Sequence, residues 1–355
     1  MNFPSHWLLL ETLCRPPENN RDEILKQLMK ENDFSWGEAI EQALRHKIFA
    51  LLAGTVARDV FKPLIPKFVF QHFSFSARCA RKSAEILRNA ATDISGRMTD
   101  EKITHAVTKG MSFESLIYTP GEREMNDIDF MIDSRDGEKT LQILKSAGFE
   151  PGFFDAPSEK IIPHSRKEMI IYAMSPDHLP IHARLTGDPV LPCVHVDFAC
   201  SFSWTGCEFE VPLDDAFAAM QKGSLFPSFS PEHQFLFTIL HLFREAWFER
   251  WIEWEQDVNL GKFADILRLF RYHEKQLRTG FRQLAIGTGA VGPAAWVLEH
   301  TDRTFGTSII SDLGLSEHVP DWLNSAHSPD GKHRVWKGSM RERLFSKNRQ
   351  AIFAE

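Results

Sequence analysis

The chain has 355 residues, of which 43% are hydrophobic and 25% are charged, and its formal net charge is −7. This composition is that of a folded globular protein with room for two or three modest domains. The negative balance excludes the long basic surface by which proteins hold DNA or RNA, although a single nucleotide needs only a local pocket. We therefore expect no long nucleic acid among its partners.

The N-terminal segment predicts neither an export signal nor a membrane anchor. It has no basic start, and Glu11 interrupts its apolar run. The longest apolar stretch, residues 48–57, is too short to span a bilayer. Five scattered cysteines without a CxxC pair are typical of a reducing compartment. We expect a cytoplasmic protein with no membrane partner, and the sequence leaves its oligomeric state open.

Hydrophobic spacing divides the chain into four predicted regions. Residues 1–98 carry apolar residues at intervals of three and four, which predicts helices and one long helix over 67–98. Residues 99–212 alternate β-branched runs with helices, residues 213–325 return to helical spacing, and residues 326–355 form a basic tail that is a surface helix or partly disordered. The predicted fold class is α+β, with a small mixed β-sheet core flanked by N-terminal and C-terminal helical regions.

Within the core region, short runs rich in β-branched residues predict five strands. These runs are residues 103–109, 127–133, 168–174, 181–185 and 193–199. Helices are predicted over residues 112–118 and from residue 137 to a stop at Gly148.

Asp127 and Asp129 stand at the start of the second predicted strand. Residues i and i+2 of a strand share one face, about 7 Å apart. Two carboxylates at that distance can bind one or two Mg²⁺ ions, which prefer hard oxygen ligands, while Ile128 points to the core. A solvated turn before a strand gives the same pattern, so the pattern alone does not decide between the two.

Gly110 follows one predicted strand and precedes a predicted helix. A glycine there lets backbone N–H groups approach phosphate oxygens, and the start of a helix favours negative charge. Lys109 and Arg123 add cations nearby, although a surface salt bridge is the simpler explanation of either one alone.

Asp197 lies on the last predicted strand and shares its face with His195. If that strand lies beside the strand of Asp129, Asp197 joins the acidic pair as a metal ligand or as the base that takes a proton from an acceptor. An isolated acid at a strand edge is the alternative. Four other histidines are interpreted as structural or surface residues: His105, His164, His178 and His182.

This arrangement resembles the nucleotidyltransferase superfamily of the DNA polymerase β type, and more closely the bacterial uncharacterised nucleotidyltransferase family. The matching residues are Lys109-Gly110, Tyr118, Gly121-x-Arg123, Asp127-Ile-Asp129 and the later Asp197. The resemblance extends through the helical flanks over most of the chain. Two positions depart from the family pattern. The Gly-Ser of the wider superfamily is Gly110-Met111-Ser112 here, and Ala199 stands two residues after Asp197, where family members often carry a histidine.

The resemblance implies a nucleotidyltransferase that depends on Mg²⁺, with Mn²⁺ as the other possible ion. Such an enzyme moves a nucleoside monophosphate from an NTP such as ATP to an acceptor, here an unidentified small molecule or peptide hydroxyl, and releases pyrophosphate. The metal would be held by Asp127, Asp129 and Asp197. The nucleotide would be bound by Lys109, Gly110, Ser112 and Arg123.

Two alternatives to this function stay open. One is a catalytically inactive module that binds a nucleotide or another protein, which Ala199 favours. The other is a nucleotidyltransferase that modifies proteins.

Trp247, Trp251 and Trp254 follow at intervals of four and three in a predicted long helix that begins after Ser230. This spacing predicts one helix face packed in the core. An aromatic wall for a base or an acceptor is the alternative.

Overall fold

The computed structural model describes residues 2–114, 116–174, 177–204, 206–221, 225–327, 332–349, 351 and 353. Its secondary structure is 55% helix and 13% strand, which confirms the predicted α+β fold class. Within those ranges no helix has both the length and the apolar character needed to cross a membrane.

The helices and strands have the following bounds. The helices are α1 (Ser5–Cys14), α2 (Arg21–Leu28), α3 (Trp36–Arg45), α4 (Phe49–Val56), α5 (Lys67–Asp100), α6 (Lys109–Glu114), α7 (Gly137–Ser146), α8 (Arg166–Met174), α9 (Leu213–Ala218), α10 (Pro231–Trp247), α11 (Glu249–Glu253), α12 (Leu260–Tyr272), α13 (Glu274–Gly287), α14 (Val291–Phe305), α15 (Ile309–Asp312) and α16 (Met340–Phe345). The strands are β1 (His105–Thr108), β2 (Asp127–Ile132), β3 (Glu150–Asp155), β4 (Lys160–Pro163), β5 (His182–Leu185), β6 (Cys193–Ala199), β7 (Ser325–His327) and β8 (His333–Val335).

Contacts divide the chain into two compact units. The sheet unit is Arg78–Gln234, and the helical unit combines Met1–Ala77 with Phe235–Glu355. The sequence boundaries after residues 98, 212 and 325 follow changes of residue pattern. A division by contacts does not test them, and they stay a prediction.

The sheet unit is built on six strands in the order β1-β2-β6-β5-β3-β4. Strands β2 and β6 run parallel, and the other neighbouring strands run antiparallel. The sheet is therefore mixed, as predicted. β6 is the last of these six strands along the chain, but it lies inside the sheet, between β2 and β5.

One face of this sheet packs on the core. Phe130 of β2 and Phe198 of β6 are fully buried, and their rings stack at 5.1 Å between centroids. Leu87 and Ile94 of α5 and Leu144 of α7 belong to the same core cluster. Because side chains alternate along a strand, the odd-numbered residues of β2 and β6 lie on the opposite face.

The strand predicted over residues 168–174 is wrong, because this segment forms α8. Ser165 precedes the helix, and its hydroxyl accepts a hydrogen bond from the Glu168 amide at 3.3 Å. The Glu168 carboxylate in turn accepts from the Ser165 amide at 2.7 Å. This reciprocal capping box stabilises a helix start and outweighs the strand preference of Ile170 and Ile171.

The sequence pattern also misses the hairpin of β3 and β4. Pro151, Gly152 and Pro163 are typical of turns, which is why the segment does not resemble a strand. Gly152 has a φ of +153°, and a Cβ there would lie 2.3 Å from the Ile162 carbonyl oxygen. The close approach of the two hairpin backbones therefore requires glycine.

The single tryptophan-bearing helix face is a wrong prediction as well. α10 ends at Trp247, and Phe248 has an extended backbone with φ −83° and ψ 126° before α11 begins. Trp254 lies after α11 and is 60% exposed, and its ring meets that of Trp251 edge to face at 5.5 Å. The break at Phe248 ends the helical spacing, so the three rings do not line one face.

The described part of the basic tail is packed rather than a surface helix. α16 begins with a capping box between Ser339 and Glu342. Arg343 in that helix is fully buried and pairs with the carboxylate of Asp257 at 2.6 Å, and Arg349 reaches the same carboxylate at 2.9 Å. Buried ion pairs therefore fix residues of the tail in the helical unit.

Candidate active site

Three aspartates share the face of the sheet opposite the core. Asp129 of β2 and Asp197 of β6 are register partners in the parallel pair, and Asp127 lies two residues before Asp129 on the same face. Neighbouring strands are about 4.8 Å apart, so the carboxylates of Asp129 and Asp197 are close neighbours. The prediction that the strand of Asp197 lies beside the strand of Asp129 is confirmed.

Lys109 brings a cation to this acidic face. Its ammonium lies 2.7 Å from Oδ1 of Asp129, and both side chains are mostly buried, at 19% and 11% exposure. Burial acts to lower the pKa of Lys109, but the charges of Asp129, Asp197 and Asp127 and the hydrogen bond to Asp129 outweigh it and raise the pKa. Lys109 is therefore firmly charged at this position.

Asp197 is the carboxyl of this group whose ionised form is penalised. Burial raises its pKa, and the neighbouring charge of Asp129 raises it further, while Lys109 and His178 lower it. Three carboxylates face one ammonium, so an added cation would stabilise the ionised form of Asp197. Among the residues that the structure describes, no three His, Cys, Asp or Glu side chains are already gathered closely enough to hold a metal ion.

Gly110 lies inside a helix rather than in a turn before it. β1 ends at Thr108 and α6 spans Lys109–Glu114, so the helix predicted over residues 112–118 begins three residues early, and residues 116–118 are not helical. A Cβ on Gly110 would come within 2.8 Å of Cγ of Met125. The missing side chain therefore lets α6 pack closely against the segment that leads into β2.

The Ser112 hydroxyl is already engaged by the protein. It donates a hydrogen bond to the Lys109 carbonyl at 2.9 Å and accepts one from the Gln234 side-chain amide at 2.9 Å. A bond from this hydroxyl to a phosphate would replace the bond to Lys109.

The loop before β2 is held against α5 by a fully buried carboxylate. Glu114 accepts hydrogen bonds from the Arg88 guanidinium at 2.7 and 2.8 Å and from the Gly121 amide at 3.1 Å. Gly121 has a φ of +85°, and a Cβ there would lie 2.7 Å from the backbone of Arg81. Glycine is therefore required at this position, and the contact fixes the path of the chain toward Asp127.

Arg123 and Tyr118 lie in the same loop. The Arg123 guanidinium donates to the carbonyl oxygen of Glu124, and its side chain is half-buried. Tyr118 is buried. Both residues therefore belong to the loop that leads into Asp127.

Two histidines lie on the same face as the aspartates. His195 is the register partner of Asp127, and its Nε2 accepts a hydrogen bond from the Phe154 amide at 3.2 Å. Burial lowers the pKa of His195, so its ring is a neutral, backbone-bound support. His178 forms an antiparallel bridge with Ala199, and its Nδ1 lies 3.2 Å from the Asp177 carboxylate.

His178, which the sequence pattern leaves as a structural or surface residue, lies close to Asp197. No spacing rule could have found it, because the pairing of the 177–179 segment with β6 depends on the fold of the intervening chain. Hydrogen bonds from the Leu179 amide to the Phe198 carbonyl, at 2.9 Å, and from the Cys200 amide to the Asp177 carbonyl, at 2.7 Å, define that pairing.

The family model described as "Uncharacterised nucleotidyltransferase" matches residues 32–306, a range that contains Lys109 and all three aspartates. No curated protein matches the chain.

Proposed function

Because the chain belongs to the uncharacterised nucleotidyltransferase family, we propose that it transfers a nucleoside monophosphate from an NTP to an acceptor and releases pyrophosphate, with the help of Mg²⁺. The observation that carries this proposal is the register of Asp129 opposite Asp197, with Asp127 on the same face. Few structural roles explain three carboxylates side by side on one sheet face, because like charges repel and burial penalises each of them.

The donor set fits Mg²⁺ better than it fits a softer metal. Carboxylate oxygens are the ligands that Mg²⁺ prefers, and we propose that Asp127, Asp129 and Asp197 would hold it. Bound there, the ion would neutralise phosphate charge and polarise the α-phosphate. Mn²⁺ accepts the same oxygen ligands and is the natural substitute.

Lys109 has a second task in this proposal. A divalent cation at Asp129 competes with the Lys109 ammonium for one carboxylate, whose Oδ1 is 2.7 Å from Nζ. We propose that Lys109 then turns to a phosphate oxygen of the NTP, where its charge is again balanced. Arg123, in the loop before β2, is proposed as a further phosphate contact.

Gly110 and Ser112 stay proposed nucleotide contacts. A double-mutant cycle can separate two roles of Gly110, which are close packing against Met125 and contact with a phosphate. Gly110→Ala meets the flexible Met125 side chain, so Met125→Ala should restore the stability that Gly110→Ala costs. If Gly110 also admits a phosphate, the double variant should fold like the wild type but bind the NTP more weakly. Full recovery of NTP affinity would leave Gly110 with packing alone.

The proposed function is tested first by thermal shift with ATP, GTP, CTP and UTP, each with Mg²⁺ or Mn²⁺. A ligand at a hundred times its Kd stabilises the folded state by about 2.7 kcal/mol. The second measurement is pyrophosphate release with candidate acceptors, including hydroxyl-bearing peptides. No shift with any NTP contradicts the proposal. Binding without pyrophosphate release, with every acceptor, favours the inactive module instead.

We further propose a cytoplasmic location. All five cysteines are free thiols, three of them buried, which is the state that a reducing compartment maintains.

A further inference from the structure

The sheet face that bears the aspartates has a histidine on the β5 side, contributed by a short segment outside the named strands. His178 bridges to Ala199 in antiparallel fashion, and Ala199 lies two residues beyond Asp197 on β6. Directly opposed residues of an antiparallel pair point to the same face, as do residues two apart on one strand. The His178 ring therefore lies on the face of Asp197, across the small side chain of Ala199.

The electrostatics agree with this arrangement. After burial and Lys109, His178 is the strongest influence on the pKa of Asp197, which it lowers. The two side chains therefore sense each other, although the ring is not an ion-pair partner of Asp197. The ion-pair partner of the ring is Asp177, at 3.2 Å from Nδ1.

The Asp177 carboxylate lies next to one nitrogen of the ring. Its negative charge, 3.2 Å from Nδ1, favours the proton on Nδ1, and in that tautomer Nε2 has the free electron pair. The ring keeps 26% of its surface exposed and the Asp177 side chain 16%. A carboxylate that orients an accessible imidazole is the arrangement of a general base.

His195 is the instructive contrast on the same face. Its Nε2 already accepts a hydrogen bond from the Phe154 amide, so it has no electron pair to offer an acceptor molecule. Asp197 is also a poor base once it shares a metal ion, because the metal claims its electron pairs.

We infer that His178, oriented by Asp177, is the catalytic base that takes the proton from the acceptor in the proposed nucleotidyl transfer. The inference rests on the proposed function. The acceptor O–H proton moves to Nε2 of His178 as the acceptor oxygen forms a bond to the α-phosphorus. The bond from that phosphorus to the oxygen bridging to the β-phosphate breaks, and pyrophosphate leaves with the electron pair. Asp197 is then a metal ligand only.

The test compares wild type with His178→Gln, Asp177→Asn and His182→Gln. The readouts are the thermal shift with Mg-ATP and the rate of pyrophosphate release with water, glycerol or a mixed Ser/Tyr peptide as acceptor. His182 is the matched control, because it lies four residues on and its register partner Val196 faces the core.

His178→Gln should keep the Mg-ATP shift and lose turnover by about 10²-fold or more, the scale of a lost general base. Asp177→Asn should lose less, and His182→Gln should keep wild-type turnover per folded molecule. Free imidazole should restore part of the turnover of His178→Ala, a rescue that a purely structural histidine would not show.

Other results separate the two proposals. If wild type and His178→Gln release pyrophosphate equally fast, the role of His178 is overturned and the proposed function stands. If His178→Gln does not fold, absence of imidazole rescue in His178→Ala and wild-type turnover in Asp177→Asn together overturn the role. If wild type shows neither a Mg-ATP shift nor pyrophosphate release, the proposed function fails and the role of His178 fails with it.

Discussion

Each unit of the molecule contains a charge cluster with unequal numbers of opposite charges, and the two clusters differ in their surroundings. In the helical unit, Asp257 is paired with both Arg343 and Arg349, and none of the three is more than 2% exposed. In the sheet unit, Lys109 faces three carboxylates, and its side chain keeps 19% of its surface exposed. One cluster is sealed and the other is partly exposed.

In the sealed cluster, aromatic rings lie close to the surplus positive charge. The Arg343 guanidinium lies 4.5 Å from the centroid of Trp336 and 5.6 Å from that of Phe353. Aromatic faces attract cations, so the surplus positive charge is stabilised inside the protein. On the aspartate face the surplus is negative and partly accessible. The first imbalance serves the fold, and the second is the one that the proposed function uses.

The largest stability effect should come from the sealed cluster. Asp257→Asn leaves two buried guanidinium groups without their counter-ion, and loss of one partner of a buried pair costs about 3 to 5 kcal/mol. Urea unfolding should show a lower midpoint. Asp214→Asn is the control, because its side chain is 83% exposed and its pairing with Arg135 is a surface one at 3.4 Å. Equal midpoints for the two variants would contradict the structural role of this cluster.

The open cluster should respond in function instead. Asp129→Asn removes the carboxylate opposite Asp197, so both the Mg-dependent NTP shift and turnover should fall. Asp197→Asn should keep most of the NTP shift, because Asp127 and Asp129 stay, but lower turnover by about 10²-fold or more. Thermal shift and pyrophosphate release measure both effects.

If Asp197→Asn keeps wild-type turnover, the third carboxylate must be sought at Asp133 or Asp188. If Asp129→Asn keeps it too, the acidic face is not a nucleotidyltransferase site, and the contrast between the two clusters disappears.

A smaller effect should follow from the loop that leads into the acidic face. Gly121→Ala and Gly187→Ala both force an alanine into a left-handed backbone, with φ of +85° and +72°. Nothing lies within 4 Å of the new Cβ at residue 187, so that variant measures backbone strain alone, about 1 to 2 kcal/mol. Gly121→Ala should cost more, because its Cβ meets the Arg81 backbone, and it should also weaken NTP binding. Equal melting temperatures would show that the loop can move away.

Close to neutral pH, the smallest effect should be a pH dependence in the sealed region. Burial lowers the pKa of His300 from 6.5 to about 3. Between pH 6.5 and about pH 3 the His300 ring is therefore protonated in the unfolded chain but neutral in the folded state. The folded state loses stability as the pH falls through this range. The slope approaches about 1.4 kcal/mol per pH unit.

His300→Gln should flatten the pH dependence of the urea midpoint below pH 6.5, whereas His72→Gln, at an exposed position, should not. Burial also lowers the pKa of His46. An unchanged slope in His300→Gln would mean that His46 and other buried histidines account for the pH dependence.

Local patterns were sufficient to predict most of the acidic face. Alternation along β2 and β6 separates Asp127, Asp129 and Asp197 from the core residues between them, and an α+β fold brings such strands together. The helix start at Ser230 is equally local, since its hydroxyl accepts from the His233 amide at 3.3 Å.

What the sequence could not reveal depends on distant partners. Arg343 is buried because Asp257, 86 residues earlier, is buried with it. His178 lies near Asp197 only because its segment pairs with the end of β6. For α8 a signal was present, since Ser165 and Glu168 form a capping box that strand-like isoleucines outweighed in the sequence pattern.

The interior position of β6 has a consequence for the order in which the protein can mature during synthesis. The ribosome releases β2 long before β6. While β3, β4 and β5 emerge, the edge of β2 that carries Asp127 and Asp129 and later pairs with β6 is therefore unpaired. Closing that long loop carries an entropic cost before any contact repays it. An unpaired edge is also a template for association with other chains. A nascent chain that stops before Cys193 should therefore be prone to aggregate and unable to bind Mg-NTP, and both properties should change together once β6 inserts.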